Sequence, residues 1–587
     1  MNPRITPFLK NARIGLVSLS LLATGLAQPL IRDQATPYAR PSTVPEASAV
    51  IMRTLRFRPF DAKDPQDTFR ALDEFHVTRL EWTYLSSAEN DASAKTATGS
   101  AELEKVARVR ASGRIFGGAS GSSHGTLVTS TEQGGNPTKN YTVVDRSGKP
   151  AILGHTRYWK DPASAGCVND PEYRRRHLEY LKRYLAAGAT TLQRDEPGTQ
   201  VGFASSGAGC FCANCMDGFR KYLADKVPEK ERRELGVEEV GTFNYRDYLN
   251  GKSPVPPSPD FDWSDPQTVK RVGGPLHRHF VDFQMTSTTE FFQWIRRELT
   301  VANHGIPVGY SCNNTSFQNW EDPYVGVFDY GNSEMMMQSA NPGHIYERAQ
   351  KALAMGKMQV FGTPKTMGLE INEAELVRLK QRVIATTYAS GAMASVPWDL
   401  FLQSKDGTAR YFGRPEDFAG IYGMVRASHK YLEEYCTAGA RGPGIKDNRF
   451  GNDFPVVADS SAEGLCIFLR AVPGNSAAPI VIHVVDWNKS QAMPTALKLR
   501  DGAFFPGKRL TVTLRTPSPY NGAAHQAAEQ RAQTMRNSGE RLGASQAEAY
   551  DPLVSEVQLR TQTAGGFTQI YIPALNPWAM LIVRAAN

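Results

Sequence analysis

The chain has 587 residues, 41% of them apolar and 10% aromatic, with a formal net charge of +8. That length and composition accommodate a sizeable core and two or more domains. The basic residues are dispersed, and neither a Gly-rich phosphate loop nor zinc-finger Cys/His spacing occurs, so no nucleic-acid partner is expected.

Residues 1–27 read as a secretory signal peptide. Arg4, Lys10 and Arg13 precede an apolar run from Ile14 to Leu22, and Gly25-Leu26-Ala27 fits a small-x-small cleavage site. The run is too short to span a membrane, and no later stretch is long and apolar enough, so an exported, secreted or periplasmic, protein without a membrane span is expected. These residues carry three basic and no acidic side chains, which leaves the rest at +5. So weak an excess permits an anionic polysaccharide but reads better as ordinary surface composition.

Residues 28–48 are polar and contain Pro and Ala, as in a loosely ordered lead-in. From 49 to 440, strand-like and helix-like segments alternate, the pattern of a parallel α/β architecture. Candidate strands are Ala49–Phe57, His76–Tyr84, Arg114–Ser120, Thr190–Asp195, Pro307–Ser311, Val325–Ser333, Met358–Thr363 and Gly391–Trp398. Eight such strands fit a (β/α)₈ TIM barrel. The clearest helices are Pro171–Ala187, Val281–Leu299, Ile345–Met355, Glu373–Tyr388 and Glu416–Tyr435. Two long interruptions, 125–160 with a hairpin-like Tyr141–Asp145 and the Pro-rich 227–275, are expected to wall a substrate cleft. Arg441-Gly-Pro-Gly444 marks a boundary. Beyond it, over 445–587, short β-branched runs predict a C-terminal antiparallel β-sandwich, interrupted by a polar insertion from Asn521 to Tyr550.

The most informative stretch is Thr190-Thr-Leu-Gln-Arg-Asp195-Glu196-Pro197, a strand that ends in two carboxylates and is stopped by proline. The helix before it is well marked, with Asp170 as N-cap, Pro171 at its first position and Gly188 past its end. Barrel enzymes collect catalytic side chains at the carboxyl ends of their strands, so this pair points to proton-transfer or glycosyl-transfer chemistry.

Cys210, Cys212 and Cys215 form C-x-C-x-x-C, with Cys167 upstream. Four converging thiolates suit a structural zinc; disulfides suit an exported protein; free buried thiols are the third reading.

Cys167-Val-Asn-Asp-Pro-Glu-Tyr, the helix, the strand ending in Asp195-Glu196, and Gly209-Cys-Phe-Cys-Ala-Asn-Cys-Met-Asp-Gly-Phe-Arg-Lys-Tyr-Leu223 together resemble glycoside hydrolase family 42 β-galactosidases. In that family an Asn-Glu pair ends strand four with the Glu as acid/base, and a cysteine cluster completes a zinc site. The resemblance is specific over about residues 165–225 and architectural elsewhere, where the strand His483-Val-Val-Asp486-Trp-Asn488 of the C-terminal domain is also similar. It implies an oligo- or polysaccharide substrate, no catalytic cofactor, a structural zinc on Cys167, Cys210, Cys212 and Cys215, and Glu196 as proton donor. Two departures stand out. Asp195 replaces the Asn, and Met358-Gln-Val-Phe-Gly-Thr-Pro-Lys365 lacks the Glu where the family nucleophile sits.

The second carboxyl must then come from elsewhere, and Glu334, at the end of Phe328-Asp-Tyr-Gly-Asn-Ser-Glu334, is the best placed. Two assignments remain: Glu196 as acid with Glu334 as base or nucleophile, which is preferred, or Asp195 as nucleophile with Glu334 as acid/base. Glu81, Trp82, His124, His155, Arg157, Asn313, Asn314, Lys365, Trp398 and Asp399 lie at or beyond strand ends and are candidates for binding substrate. Asp329 is a further accessory acid, and Tyr84, Tyr158, Trp159 and Trp320 could stack on sugars as readily as fill core. His155, His277 and His279 lack metal-ligand spacing, so no catalytic metal is expected. A non-catalytic carbohydrate-binding barrel and a polysaccharide lyase are the alternative functions; the sequence leaves the oligomeric state open, a homo-oligomer included.

Overall fold

The computed structural model describes residues 29–53, 68–83, 85, 99–120, 128–129, 141–153, 163–254, 265–314, 319–335, 339–363, 372–396, 413–459, 464–488, 494–538 and 544–586. The signal-like segment 1–27 lies outside them.

Eight parallel strands form one sheet: β1 Ile51–Arg53, β2 Arg79–Thr83, β3 Ile115–Ser120, β4 Thr191–Arg194, β5 Gly309–Cys312, β6 Tyr330–Ser333, β7 Met358–Phe361 and β8 Met393–Ala394, paired in chain order. A parallel bridge from Ile51 to Ser395 brings β8 back to β1 and closes the barrel. Each expected strand has a counterpart, several of them shorter, as where Gly391–Trp398 is reduced to Met393–Ala394 within the described residues; Val325–Val327 is a 3₁₀ turn, and β6 begins only at Tyr330.

Local chemistry starts and stops the helices as the sequence indicates. Asp170 accepts from the backbone N–H groups of Glu172 and Tyr173 to open Pro171–Ala186, and Gly188 follows at φ +86°, where a side chain would be strained. Asn372 caps Glu373–Ala389 through the N–H of Glu375. The expected helix at 281–299 is the second part of Asp265–Ala302, which kinks at Gly274 before Pro275.

Register separates what the barrel strands hold inside from what they turn toward the helices. Inside lie Arg79, Glu81, Thr191 and Tyr330: the Tyr330 hydroxyl donates to both Glu81 carboxylate oxygens at 2.9 and 3.0 Å, and Arg79 Nε donates at 2.9 Å. Toward the helices, Arg194 sits among Tyr173, His177, Phe292 and Tyr310, with its guanidinium 5.8 Å from the Phe292 ring centre.

The lead-in is not loose. Ile31 is fully buried in the C-terminal core, and Val44 in the barrel core, so apolar burial at both ends fixes the segment across the two layers. The segment read as the loop 227–275 is largely helical where it is described, with helices Glu229–Glu234 and Tyr245–Lys252. Their Tyr245 and Leu249 join Phe211, Phe219, Phe280 and the cysteines in a separate apolar cluster. Thr142, Val144 and Ile152 bridge to Gly166, Pro150 and Ser164, which makes the expected hairpin part of the same unit.

The C-terminal part packs a six-stranded antiparallel sheet on a four-stranded one. Cys436–Arg441, just before the Gly-Pro-Gly boundary, already pairs with Leu465–Ala471 in the larger sheet. The polar insertion is the helix Gly522–Asn537, and its Glu529 meets Arg114 and His76 from the barrel.

Candidate active site at the carboxyl ends of the strands

Asp195 and Glu196 follow β4, Asn313 follows β5, Glu334 follows β6, and Arg53 ends β1, so parallel pairing gathers them at one end of the barrel. Asn313, only 4% exposed, ties the two acidic strand ends together. Its Nδ2 donates to Asp195 Oδ1 at 2.8 Å, and its Oδ1 accepts from the Glu334 backbone N–H at 3.2 Å. Arg53 Nη2 pairs with Glu334 Oε1 at 2.5 Å, and the Arg53 guanidinium stacks over Trp82 at 3.3 Å from the ring centre. A charge-assisted hydrogen bond of this kind stabilises the carboxylate form and fixes its direction.

Among the described residues, two of the four non-glycine positions with positive φ belong to this end, Trp82 at +54° and Glu196 at +49°. Side chains with a Cβ adopt this region only at a cost of roughly 1–3 kcal/mol, and such strain concentrates where a group must be aimed. Asn332, 1% exposed and two residues before Glu334 on the inward face, has an Nδ2 with no hydrogen-bond partner. Arg53 and Asn332 were not singled out in the sequence, because neither carries a motif; an arginine at the end of an apolar strand was the available signal for the first.

Several sequence candidates are placed elsewhere. Glu81 is 1% exposed and committed to Tyr330 and Arg79 inside the barrel, below the mouth. Asn314 is fully buried and exchanges hydrogen bonds with Gln359, which also accepts from Trp320 Nε1 at 3.0 Å. Both Asn314 and Trp320 therefore belong to the helix-facing side, since Gln359 and Gly331 share its register, and they correct the expectation that they meet sugar there. Asp329 binds Arg296 and the Tyr310 N–H ahead of β6, at the opposite end from Glu334. Trp82 is fully buried beneath Arg53. Tyr84, His124, His155, Arg157, Tyr158, Trp159, Lys365, Trp398 and Asp399 lie outside the described residues.

The four cysteines converge. Cys167 Sγ is 3.4 Å from Cys215 Sγ and 3.7 Å from Cys212 Sγ, and all four sulfurs lie within 4.8 Å of one another. None is in a disulfide, which would need an S–S distance of about 2.05 Å. Tetrahedral zinc with bonds of about 2.3 Å spaces its sulfurs about 3.8 Å apart, so the donor set fits such an ion. Asn169 and Gln200 point amide N–H groups at Cys215 and Cys167, the orientation that suits thiolate ligands. Hydrogen bonds from the neighbouring thiols hold Cys212 well below the usual thiol range, and those to Cys210, Cys212 and Cys215 push Cys167 well above it. A second cluster, Glu46, His429 and Glu433, is already engaged: Arg40 pairs with Glu433 and Ser48 with His429.

No family model matches the chain. It is 22% identical over 294 residues to an alpha-agarase of Thalassotalea agarivorans, an alignment that covers 48% of this chain and 20% of that protein. The chain thus spans about a fifth of the curated relative it matches. Solved structures similar to it include alpha-L-fucosidase isoenzyme 2 from Paenibacillus thiaminolyticus, at 10% identity and a TM-score of 0.48, covering 92% of this chain and all of that one. A β-galactosidase from Rahnella sp. R3 is 14% identical with a TM-score of 0.42, over 62% of this chain and 53% of its own. At these values neither adds to the fold that strand pairing already establishes.

Proposed function

We propose that the chain is a glycoside hydrolase that cleaves glycosidic bonds of an oligo- or polysaccharide, with Glu196 as proton donor and Glu334 as the ionised partner. The observation that carries this reading is the linkage of the β4 and β6 ends through Asn313, with Glu334 held by Arg53. Glycoside cleavage requires one carboxyl to protonate the leaving oxygen while a second attacks the anomeric carbon or activates water. A carboxylate bound to a guanidinium suits the second task. Asp195 is engaged by the Asn313 amide and Glu334 by an arginine, which favours the charged form of Glu334; the first task falls to Glu196, in its strained turn beside them. Asn332 Nδ2, unpartnered among the described residues, would donate to a sugar hydroxyl beside Glu334.

A second assignment, Asp195 as nucleophile with Glu334 as acid/base, is favoured by their sharing of one Asn313 amide. The alpha-agarase likeness supports a saccharide substrate and puts agar first among polymers to try. Residues 49–440 would form the catalytic barrel and 445–587 the sandwich. The Cys167, Cys210, Cys212 and Cys215 cluster would hold a structural zinc, and export would rest on residues 1–27.

The test is a reducing-end assay on a panel of polysaccharides that includes agar, with ultraviolet absorbance followed for unsaturated products. New reducing ends without absorbance support hydrolysis. New ends with absorbance make the chain a lyase, and binding without new ends makes it a carbohydrate-binding barrel.

A further inference from the structure

At the opposite end of the barrel, where the lead-in, the helix Pro342–Ala354 and the strand Cys436–Arg441 meet, lies a cavity of about 340 Å³. It is as large as a small-molecule site and holds about ten waters' worth of volume. Arg40, Arg449 and Arg470 line it against a single carboxylate, Glu433, and Leu353, Met358 and Leu432 supply an apolar side.

Its polar lining is incomplete. Arg470 is 4% exposed, and its guanidinium donates only to the carbonyls of Tyr388, Leu432 and Tyr435, with no carboxylate in an ion pair and with Nε unpartnered. Thr437 and Tyr38 line the same cavity, and among the described residues Thr437 Oγ1 and Tyr38 OH are also buried without partners. The nearby Glu433 carboxylate acts on this charge but bonds to Arg40 instead, so the compensation is partial, and orphaned donors gathered round one space are costly unless something polar fills it. Arg40 is already paired with Glu433, and Arg449 with Asp447 at 3.8 Å, the Thr437 carbonyl and Gln350, so those two are held in place at the wall.

We propose that this cavity is a second ligand site, separate from the strand-end site, that takes a monosaccharide-sized acid such as a hexuronate. Its carboxylate would meet Arg470 and Arg449, its hydroxyls would meet Thr437 and Tyr38, and a ring face would rest on Leu353 and Met358. Bidentate capture of a carboxylate by guanidinium supplies the affinity, and the apolar side supplies selection for a ring over a bare ion. Burial holds the Arg470 guanidinium at about 10, still charged at neutral pH.

Isothermal titration of the full chain with galacturonate, glucuronate, galactose, sulfate and acetate tests this. One equivalent of hexuronate should bind, galactose and acetate more weakly; Arg449→Gln should weaken the hexuronate by about 10-fold or more, the loss expected for a hydrogen bond to a charged group, and Thr437→Val by about 5-fold, that of a neutral one. Asp195→Asn, which alters the strand-end site, should leave this binding unchanged, so the outcome is independent of the proposed hydrolase chemistry. Hexuronate binding that is lost in Asp195→Asn and kept in Arg449→Gln would place the ligand at the strand ends and overturn the proposal. Sulfate or acetate binding as tightly as hexuronate would overturn its sugar specificity. No binding at millimolar hexuronate by a folded parent would make the cavity a water pocket.

Discussion

Glu529→Gln is a direct test of how the insertion helix is fastened to the barrel. Glu529 is 3% exposed, and its Oε1 accepts from Arg114 at 2.7 Å and from Arg536 at 2.6 Å, while Oε2 meets Tyr550 at 2.9 Å and His76 at 3.2 Å. Burial would raise its pKa, but the His76 hydrogen bond and the charges of Arg114 and Arg536 outweigh it and hold the carboxyl at about 2. A fall from 4.5 to about 2 corresponds to about 3 kcal/mol of stability. Breaking a buried ion pair at one partner gives a similar ~3–5 kcal/mol, because Arg536 loses its counter-charge and Arg114 keeps only the more exposed Asp73. Because the folded pKa is depressed, this contribution is present above about pH 4.5 and is lost as pH falls through about 2. Denaturant unfolding, followed by tryptophan fluorescence at pH 7 and pH 2.5, should therefore show Glu529→Gln less stable by about 3 kcal/mol at pH 7, with the gap closing in acid. A difference below about 0.5 kcal/mol at pH 7, the range of surface substitutions, would refute the reasoning.

Arg53→Gln should lower kcat by about 10²-fold while a saccharide still binds, since the lost contact orients a reacting carboxylate; unchanged kinetics would remove Arg53 from the site. Asn313→Ala unlinks Asp195 from the Glu334 backbone and should lower kcat by a comparable factor with thermal stability nearly intact, read by paired kinetics and melting curves. Chelator treatment, or Cys212→Ser, should lower Tm before it lowers the activity of the surviving fold, and metal analysis should return one zinc per chain. His525 is held at about 4 by burial and by His76, so it is neutral in the folded protein and acidification below about pH 6.5 destabilises it. The pH dependence of Tm between 6.5 and 4 should be shallower in His525→Gln.

The barrel was legible because each strand is a short apolar run between turn signals, and Asp170-Pro171 and Asn372-x-x-Glu375 mark helix starts by local hydrogen bonds alone. Asp195, Glu196 and Glu334 could be named for the same reason: an acid directly after an apolar strand has one place to go. Which candidates face the cleft was not legible. Asn313 and Asn314 are adjacent in sequence, yet one links Asp195 to Glu334 and the other bonds to Gln359 behind the sheet, a difference set by register with β7. Glu81 reads as a strand-end acid, but Tyr330, 249 residues away, claims both its oxygens. The lead-in reads as loose because its composition is polar, while its order comes from two buried residues, Ile31 and Val44, that anchor in separate cores.

Glu196 and Glu334 divide the labour of the proposed cleavage. This division is tested most directly by measuring kcat of Glu196→Gln, Glu334→Gln and Asp195→Asn on a polysaccharide that the parent hydrolyses. Both glutamate variants should lose about 10³-fold or more, each with substrate binding retained. Near-parental turnover in Glu334→Gln would contradict it outright, and near-parental turnover in Glu196→Gln together with an inactive Asp195→Asn would transfer the second role to Asp195.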